Sequence, residues 1–312
     1  MTVRRCLVVA LILASCSLLS QSTPQDPPSV QAELTEDQIR QLIREAAEKD
    51  IANDKASRDY SYIQREEEHK LNGNGDVQST ETRTYEVLML YGEPVRRQIA
   101  KNDTPLPAKD AAKEEEKLQK IIEKRKNEDE GERRKRLEKE EKNREEDRQF
   151  VKEIAEAYNF RFVGLESHEG RPTYVIDADP KPGYEPHGKN TKFLPKFRFR
   201  VWVDQAEKQW VKLDIDCIDT VSVGLFLVRL HKGSNLQIEQ TRVNDEVWLP
   251  KHVGLRLDAR VALFKGLNIS EDASYSDYKK FRTDTRIVPT GIAEEQPKAE
   301  PAGKANDENQ ER

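Results

Sequence analysis

Cysteine is scarce in this chain: Cys6, Cys16 and Cys217 are the only three in 312 residues. The first two fall in an expected N-terminal export segment, which leaves Cys217 alone and excludes a disulfide framework. Metal-ligand spacings are lacking as well. His69, His168, His187, His231 and His252 form no HExxH pair, and there is no CxxC. A GxSxG elbow and a phosphate-cradling glycine loop are also missing. These absences lead to the expectation of no catalytic residue, no metal site and no cofactor, and so of a protein that is not an enzyme. The apolar run Leu7 to Ala14 is too short to cross a bilayer, which takes about 20 residues. Charge of one sign is lacking too. The 53 basic and 58 acidic residues are interspersed and leave a net charge of −5. Composition therefore implies no strong attraction to nucleic acid or to anionic lipid.

What the chain does have begins at Arg4 and Arg5. Two positive residues, a short apolar core and then Ser15, Cys16 and Ser17 read as an export signal over 1–22. Leu13-Ala14-Ser15-Cys16 is similar to a bacterial lipobox, in which Cys16 would carry lipid; the alternative is ordinary cleavage after Ser22. Residues 23–34 read as a flexible tether. Thr35-Glu36-Asp37-Gln38 is a capping box. Behind it Ile39, Leu42, Ile43, Ala46 and Ala47 make one apolar helical face, so a helix is predicted to about residue 58. The period then changes to two. Strands over 60–70 and 77–90 flank the turn Asn72-Gly73-Asn74-Gly75-Asp76, and a third runs from Pro94 to Lys101. Residues 108–149 are dominated by Glu, Lys and Arg, with acid-first pairs such as Glu116/Lys120 and Glu132/Arg136. They read as a long solvated helix broken near Gly131, or as a partly disordered insert. Phe150, Ile154 and Tyr158 then restore an apolar stripe.

From Phe160 onward short strands follow one another without helices, which predicts an antiparallel meander. The expected strands are 160–165, 172–178, 196–204, 209–216, 220–230, 235–243, 246–250, 253–267 and 273–281. Alternation sorts their faces. Phe197, Phe199, Val201 and Val203 oppose Arg198, Arg200 and Trp202, and Leu255, Leu257, Val261 and Leu263 oppose Arg256, Asp258 and Arg260. The stretch 220–230 is apolar on both faces. Cys217 is in phase with Leu213 and Ile215 and reads as a core thiol. Glu166 and His168 read as a surface turn, and Asp214 and Asp216 as solvent-facing carboxylates. Arg198 and Arg200 could grip an anionic headgroup, or could simply face water. Residues 289–312 read as a disordered tail. An apolar sheet face under the first helix is either a filled core or a greasy cavity.

Two stretches carry a family resemblance. Phe193-Leu194-Pro195-Lys196-Phe197 through Trp202-Val203-Asp204, followed by Gln209-Trp210-Val211-Lys212, forms one; Thr241-Arg242-Val243-Asn244-Asp245-Glu246-Val247-Trp248-Leu249-Pro250 forms the other. With the order signal, helix, hairpin, insert and meander, they resemble the outer-membrane lipoprotein-sorting and lipoprotein-carrier superfamily, over about 35–105 and 150–285. That resemblance implies an α+β fold: a curved antiparallel half-barrel closed by one or two helices, here one domain over 35–288 with a charged helical insert at 108–149. It implies a non-enzymatic cell-envelope binder of a lipid acyl chain or a lipidated protein. The location implied is the periplasm or the outer membrane of a bacterium, with a tether through Cys16 if that residue is lipidated. The alternative is an envelope interaction or sensor module using the charged helix. Trp202, Phe226 and Leu263 are the expected cavity residues.

Overall fold

The computed structural model describes residues 34–280, apart from 92, 188–190, 224–227 and 262–264. The expected export signal with Cys16, nearly all of the tether 23–34, and the tail 289–312 lie outside the described residues, as do Phe226 and Leu263.

Helix α1 (Glu36–Ser57) opens on the capping box read from the sequence. Gln38 N donates to Thr35 Oγ1 at 3.3 Å, and Thr35 N donates to Gln38 Oε1 at 2.8 Å. Its buried face is Ile39, Leu42, Ile43 and Ala46. Strands β1 (Tyr60–Leu71) and β2 (Val77–Leu90) form the expected hairpin. Asn72 Oδ1 closes its turn by accepting from Asn74 N and Asp76 N, both at 2.9 Å. Strand β3 (Glu93–Lys101) and the short β4 (Thr104–Pro105) complete this edge of the sheet.

The charged insert is two helices, α2 (Ala108–Lys126) and α3 (Glu130–Ala157). The break falls at 127–129, just before Gly131, because Asp129 Oδ1 caps α3 by accepting from Glu132 N at 2.7 Å. Nor is the insert wholly solvated. Leu118 of α2 is buried against Leu88 and Leu90 of β2, with Val95 and Ile122 alongside. The far end of α3 docks through Phe150 and Ile154 on the core built around α1. Arg40 of α1 donates to the carbonyls of Ala155 and Tyr158, satisfying acceptors that the end of a helix leaves orphaned.

The remaining strands are β5 (Tyr158–His168), β6 (Arg171–Pro180), β7 (Phe197–Asp204), β8 (Trp210–Cys217), β9 (Val221–Val223), β10 (Val228–Leu230), β11 (Asn235–Val243), β12 (Val247–Val261) and β13 (Lys265–Lys280). All thirteen strands belong to one antiparallel sheet, in the order β4-β3-β2-β1-β13-β12-β11-β8-β7-β6-β5, with β10 pairing β12 and β9. The order runs from one edge to the other and does not close into a barrel. The fold is the α+β architecture expected, an open antiparallel sheet with helices.

Two strand assignments change. The described part of 220–230 is two paired strands, β9 and β10, with Val223 opposite Val228 and Val221 opposite Leu230. The apolar positions are odd-numbered in β9 and even-numbered in β10, which in sequence imitates one strand greasy on both sides. Conversely, 246–250 and the first part of 253–267 are one strand, β12. Glu239 pairs His252 while Gln240 pairs Pro250, so Lys251 is the extra residue of a β-bulge that resets the alternation. The rest of 253–267 opens β13.

Helix α1 lies across one face of this sheet, touching β5, β8 and β12 as well as α3. Its C-terminal half is held by Asn53, whose Nδ2 donates to Trp248 O at 2.7 Å and whose Oδ1 accepts from Trp248 N at 2.8 Å. The side-chain amide thus completes both backbone hydrogen bonds of one strand residue and fixes the helix at a defined height above β12.

Candidate functional site

Between α1, the end of α3 and the sheet lies a cavity of about 710 Å³. Helix α1 supplies Ile43, Ala46, Ala47, Asp50, Ile51 and Asp54, one side of the helix from its second turn to its last. Helix α3 adds Phe150 and Ile154. The floor comes from alternate residues of neighbouring strands: Phe197, Phe199 and Val201 on β7, Leu213 and Ile215 on β8, Leu236 on β11, and Leu255 and Leu257 on β12. Because side chains alternate across a strand, the apolar phase of each sequence stretch points here and the polar phase points away. The volume falls within the ~300–1,000 Å³ of small-molecule sites. The walls are almost wholly hydrocarbon.

The polar exceptions are few. Asp50 lies largely buried in the wall, and Gln209 Nε2 donates to its Oδ1 at 3.1 Å. Burial pushes its carboxyl above the usual range, against the opposing hydrogen bonds of Gln209, Trp210 and Gln240. Asp54 stands one turn further on and pairs with Arg58 at 2.7 Å. At the other end Tyr158, fully buried, donates its hydroxyl to Leu194 O at 2.8 Å. Burial raises its pKa, so it stays protonated. The loop between β6 and β7 is held over this end by Glu153 of α3, which accepts from Tyr184 Oη at 2.6 Å and His187 N at 2.7 Å. Among the described residues no group of three His, Cys, Asp or Glu could hold a metal ion. Among the described residues, nothing in the wall pairs a nucleophile with a base. The arrangement can exclude water from a hydrocarbon chain.

Trp202, expected in the cavity, lies on the other face of the sheet. It follows Val201 on β7, and the alternation that points Val201 inward sends Trp202 outward into a cluster with Val175, Val211 and Trp248. Its Nε1 donates to Glu166 Oε2 at 2.8 Å. Arg198 and Arg200 share that outer face, where Arg198 pairs with Asp216 at 3.1 Å and Arg200 with Asp177 at 2.5 Å. His168 Nε2 lies 3.1 Å from Gln240 O. Cys217 is buried and free, and its thiol donates to Asp219 O at 3.1 Å.

The two motif stretches also meet on this outer face. The first is the β7–β8 hairpin, whose turn is closed by Asp204: its Oδ1 accepts from Ala206 N at 3.0 Å and Glu207 N at 2.7 Å. The second is the β11–β12 hairpin, with Asn244 and Asp245 both at positive φ in the turn. Trp248 Nε1 donates to Glu207 Oε2 at 2.9 Å, and Arg242 pairs with Glu207 at 3.1 Å. Arg171 grips the buried Asp204 through two bonds, of 2.8 and 3.0 Å, and reaches Glu207 at 3.0 Å. Burial alone would raise the Asp204 pKa. The Arg171 guanidinium and the two backbone donors outweigh burial and hold it below the usual range. Within the motif stretches Trp202, Asp204, Arg242 and Trp248 therefore lock hairpin to hairpin, while Leu194, Phe197, Phe199, Val201 and Trp210 face the other way and line the cavity.

Alternation could have found the floor residues, since Phe197, Phe199, Val201, Leu255 and Leu257 share the apolar phase. Asp50 and Asp54 carried no such signal, because a carboxylate on a charged helix gives no hint that it lines a cavity.

No family model matches the sequence, and no curated protein matches it. Solved structures similar to the chain include an outer membrane lipoprotein-sorting protein domain from Vibrio parahaemolyticus, 14% identical over 80% of this chain and 95% of that one, with a TM-score of 0.31. A LolA superfamily protein from Nitrosomonas europaea is 11% identical over 78% and 93%, with a TM-score of 0.27. The third is a DUF1329 family protein from Desulfovibrio piger, 11% identical over 82% and 95%, with a TM-score of 0.29.

Proposed function

We propose that this chain is a non-enzymatic binding protein of the bacterial cell envelope that takes a lipid acyl chain, free or as part of a lipidated protein, into the cavity between α1 and the sheet. One observation carries the reading: a cavity of about 710 Å³ whose walls are mostly hydrocarbon from two helices and six strands. An exported location, with or without lipid on Cys16, fits the N-terminal pattern. A role in lipoprotein sorting agrees with the hairpin resemblance. Each methylene moved from water into such a wall contributes about 0.8 kcal/mol, so a long chain gains affinity without any polar anchor.

The test is native mass spectrometry of the purified chain, followed by solvent extraction and lipid analysis. A stoichiometric lipid that leaves on extraction supports the reading. An apo mass, together with failure to take up a fluorescent fatty acid, sinks it. The second reading, a protein-interaction module, is favoured by one observation, a polar groove between α2 and α3. Capture of a partner that is lost when the groove is altered, with no lipid taken up, would replace the first reading by this one.

A further inference from the structure

The groove between the insert helices has a volume of about 720 Å³ and is lined by six basic and three acidic side chains. Its ion pairs are unevenly distributed. Glu128 accepts from both Arg136, at 2.9 Å, and Arg125, at 3.4 Å, and Glu93 also holds Arg125. Arg58 is held by Asp54. Lys124, Lys135 and Lys139 are exposed and make no ion pair to the described residues. With the acidic side chains Glu93 and Glu128 engaged, an incoming ligand meets three ammonium groups and one remaining carboxylate, Glu132. The chain as a whole is acidic, so this is a local reversal of sign.

The groove is also adjacent to the cavity. Asp54 lines the cavity and Arg58 lines the groove, one helical turn apart on α1, about 6 Å at 1.5 Å per residue. On α3, Phe150 lines the cavity and Asn143 the groove, two turns apart, about 10 Å. Helix α3 therefore carries part of the apolar chamber and, next along its length, part of the basic one, and the end of α1 joins the two at Arg58. An anionic amphiphile has the same order of parts.

We propose that the groove between α2 and α3 binds the anionic phosphodiester headgroup of a lipid whose acyl chain occupies the adjoining cavity, with Lys124, Lys135 and Lys139 as the recognising groups. This rests on the acyl-chain reading above and adds headgroup selectivity to it. The ammonium groups supply charge-assisted hydrogen bonds to phosphate oxygens, and a zwitterionic headgroup returns part of that gain by presenting its own cation to the lysines.

The test uses the full chain and two fluorescent probes with identical acyl chains, a phosphatidylglycerol and a phosphatidylcholine. Phosphatidylglycerol should bind about tenfold more tightly at low salt, and the preference should shrink as ionic strength rises. The triple variant Lys124→Gln, Lys135→Gln, Lys139→Gln changes exposed side chains only. It should lose most of the preference, with phosphatidylglycerol binding falling far more than phosphatidylcholine binding, whose persistence reports an intact fold. Equal binding of the two probes by the unaltered chain overturns the headgroup assignment and leaves the acyl-chain reading standing. A preference that survives in the triple variant also overturns it. Failure to bind either probe overturns both readings. Displacement of phosphatidylglycerol by inorganic phosphate alone, or by an acidic peptide alone, would show a groove that works apart from the cavity and would overturn the proposal.

Discussion

The cavity makes a quantitative demand on chain length. Its helical wall runs from Ile43 to Asp54, about 16 Å of helix at 1.5 Å per residue. An extended alkyl chain with ~1.5 Å bonds at near-tetrahedral angles advances about 1.25 Å per carbon, so the wall accommodates about 13 carbons. Within that length each added methylene contributes about 0.8 kcal/mol, a factor of about four in affinity. Beyond it, added carbons stay in water and contribute nothing. A series of saturated fatty acids from about 8 to about 18 carbons, titrated against the protein with a fluorescent fatty acid as competitor, should therefore show a steep rise and then a plateau near 13 carbons. Replacing Ala47, which lines the middle of the wall, by Trp should move the plateau to shorter chains. The helix tolerates this, since the propensity cost is a few tenths of a kcal/mol. Affinity that does not change with chain length, or a plateau unmoved in Ala47→Trp, would refute the assignment of the cavity as the chain-binding site.

Three further outcomes follow from the geometry. Asn53→Ala leaves Trp248 N and O without their partners beneath α1, and should cost about 2 kcal/mol in urea-unfolding stability while weakening uptake of an acyl probe. Arg171→Met leaves the buried Asp204 carboxylate with its backbone donors only, and should cost about 3 kcal/mol at pH 7. The folded-state pKa of Asp204 lies below its unfolded value, so its stabilisation is present above the ordinary carboxylate pKa and is lost as pH falls through the lowered one. The gap between variant and parent in urea unfolding should accordingly close in that acid range. Asp50 has the opposite sign. Burial raises its pKa, and an acyl chain beside it buries it further, so binding of a neutral monoacylglycerol takes up a proton and strengthens as pH falls. Asp50→Asn should bind the same probe with no such slope.

The fold was legible wherever period and punctuation agreed. The Thr35 capping box, the Asn72–Asp76 turn and the Asn244-Asp245 turn each dictate a local backbone that the structure contains. The failures were at places where alternation is reset. Lys251 bulges out of β12 and divides one strand into two apparent ones, and the change of apolar phase from β9 to β10 makes two strands read as one. The cavity floor was legible as a phase, in Phe197, Phe199 and Val201, but the residue chosen from that strand, Trp202, belongs to the other phase. A large aromatic residue draws attention as a ligand contact. Here its size serves packing against Trp248, a partner 46 positions away that only the pairing of β11 with β8 and β12 brings near.

The outer-face cluster around Trp202 and Trp248 and the cavity are interleaved on the same strands, so strand register decides which side chains line the cavity. On β7, Val201 faces the cavity while Trp202 and the turn carboxylate of Asp204 serve the outer face. A slip of one residue would carry the indole into the chamber and present valine to Trp248. The Arg171–Asp204 pair holds the β7–β8 turn against β6, so any such slip must break it. The register that gives the chamber its apolar lining is thus held in part by an ion pair on the far side of the sheet. A substitution there could close the cavity without touching a single residue that lines it.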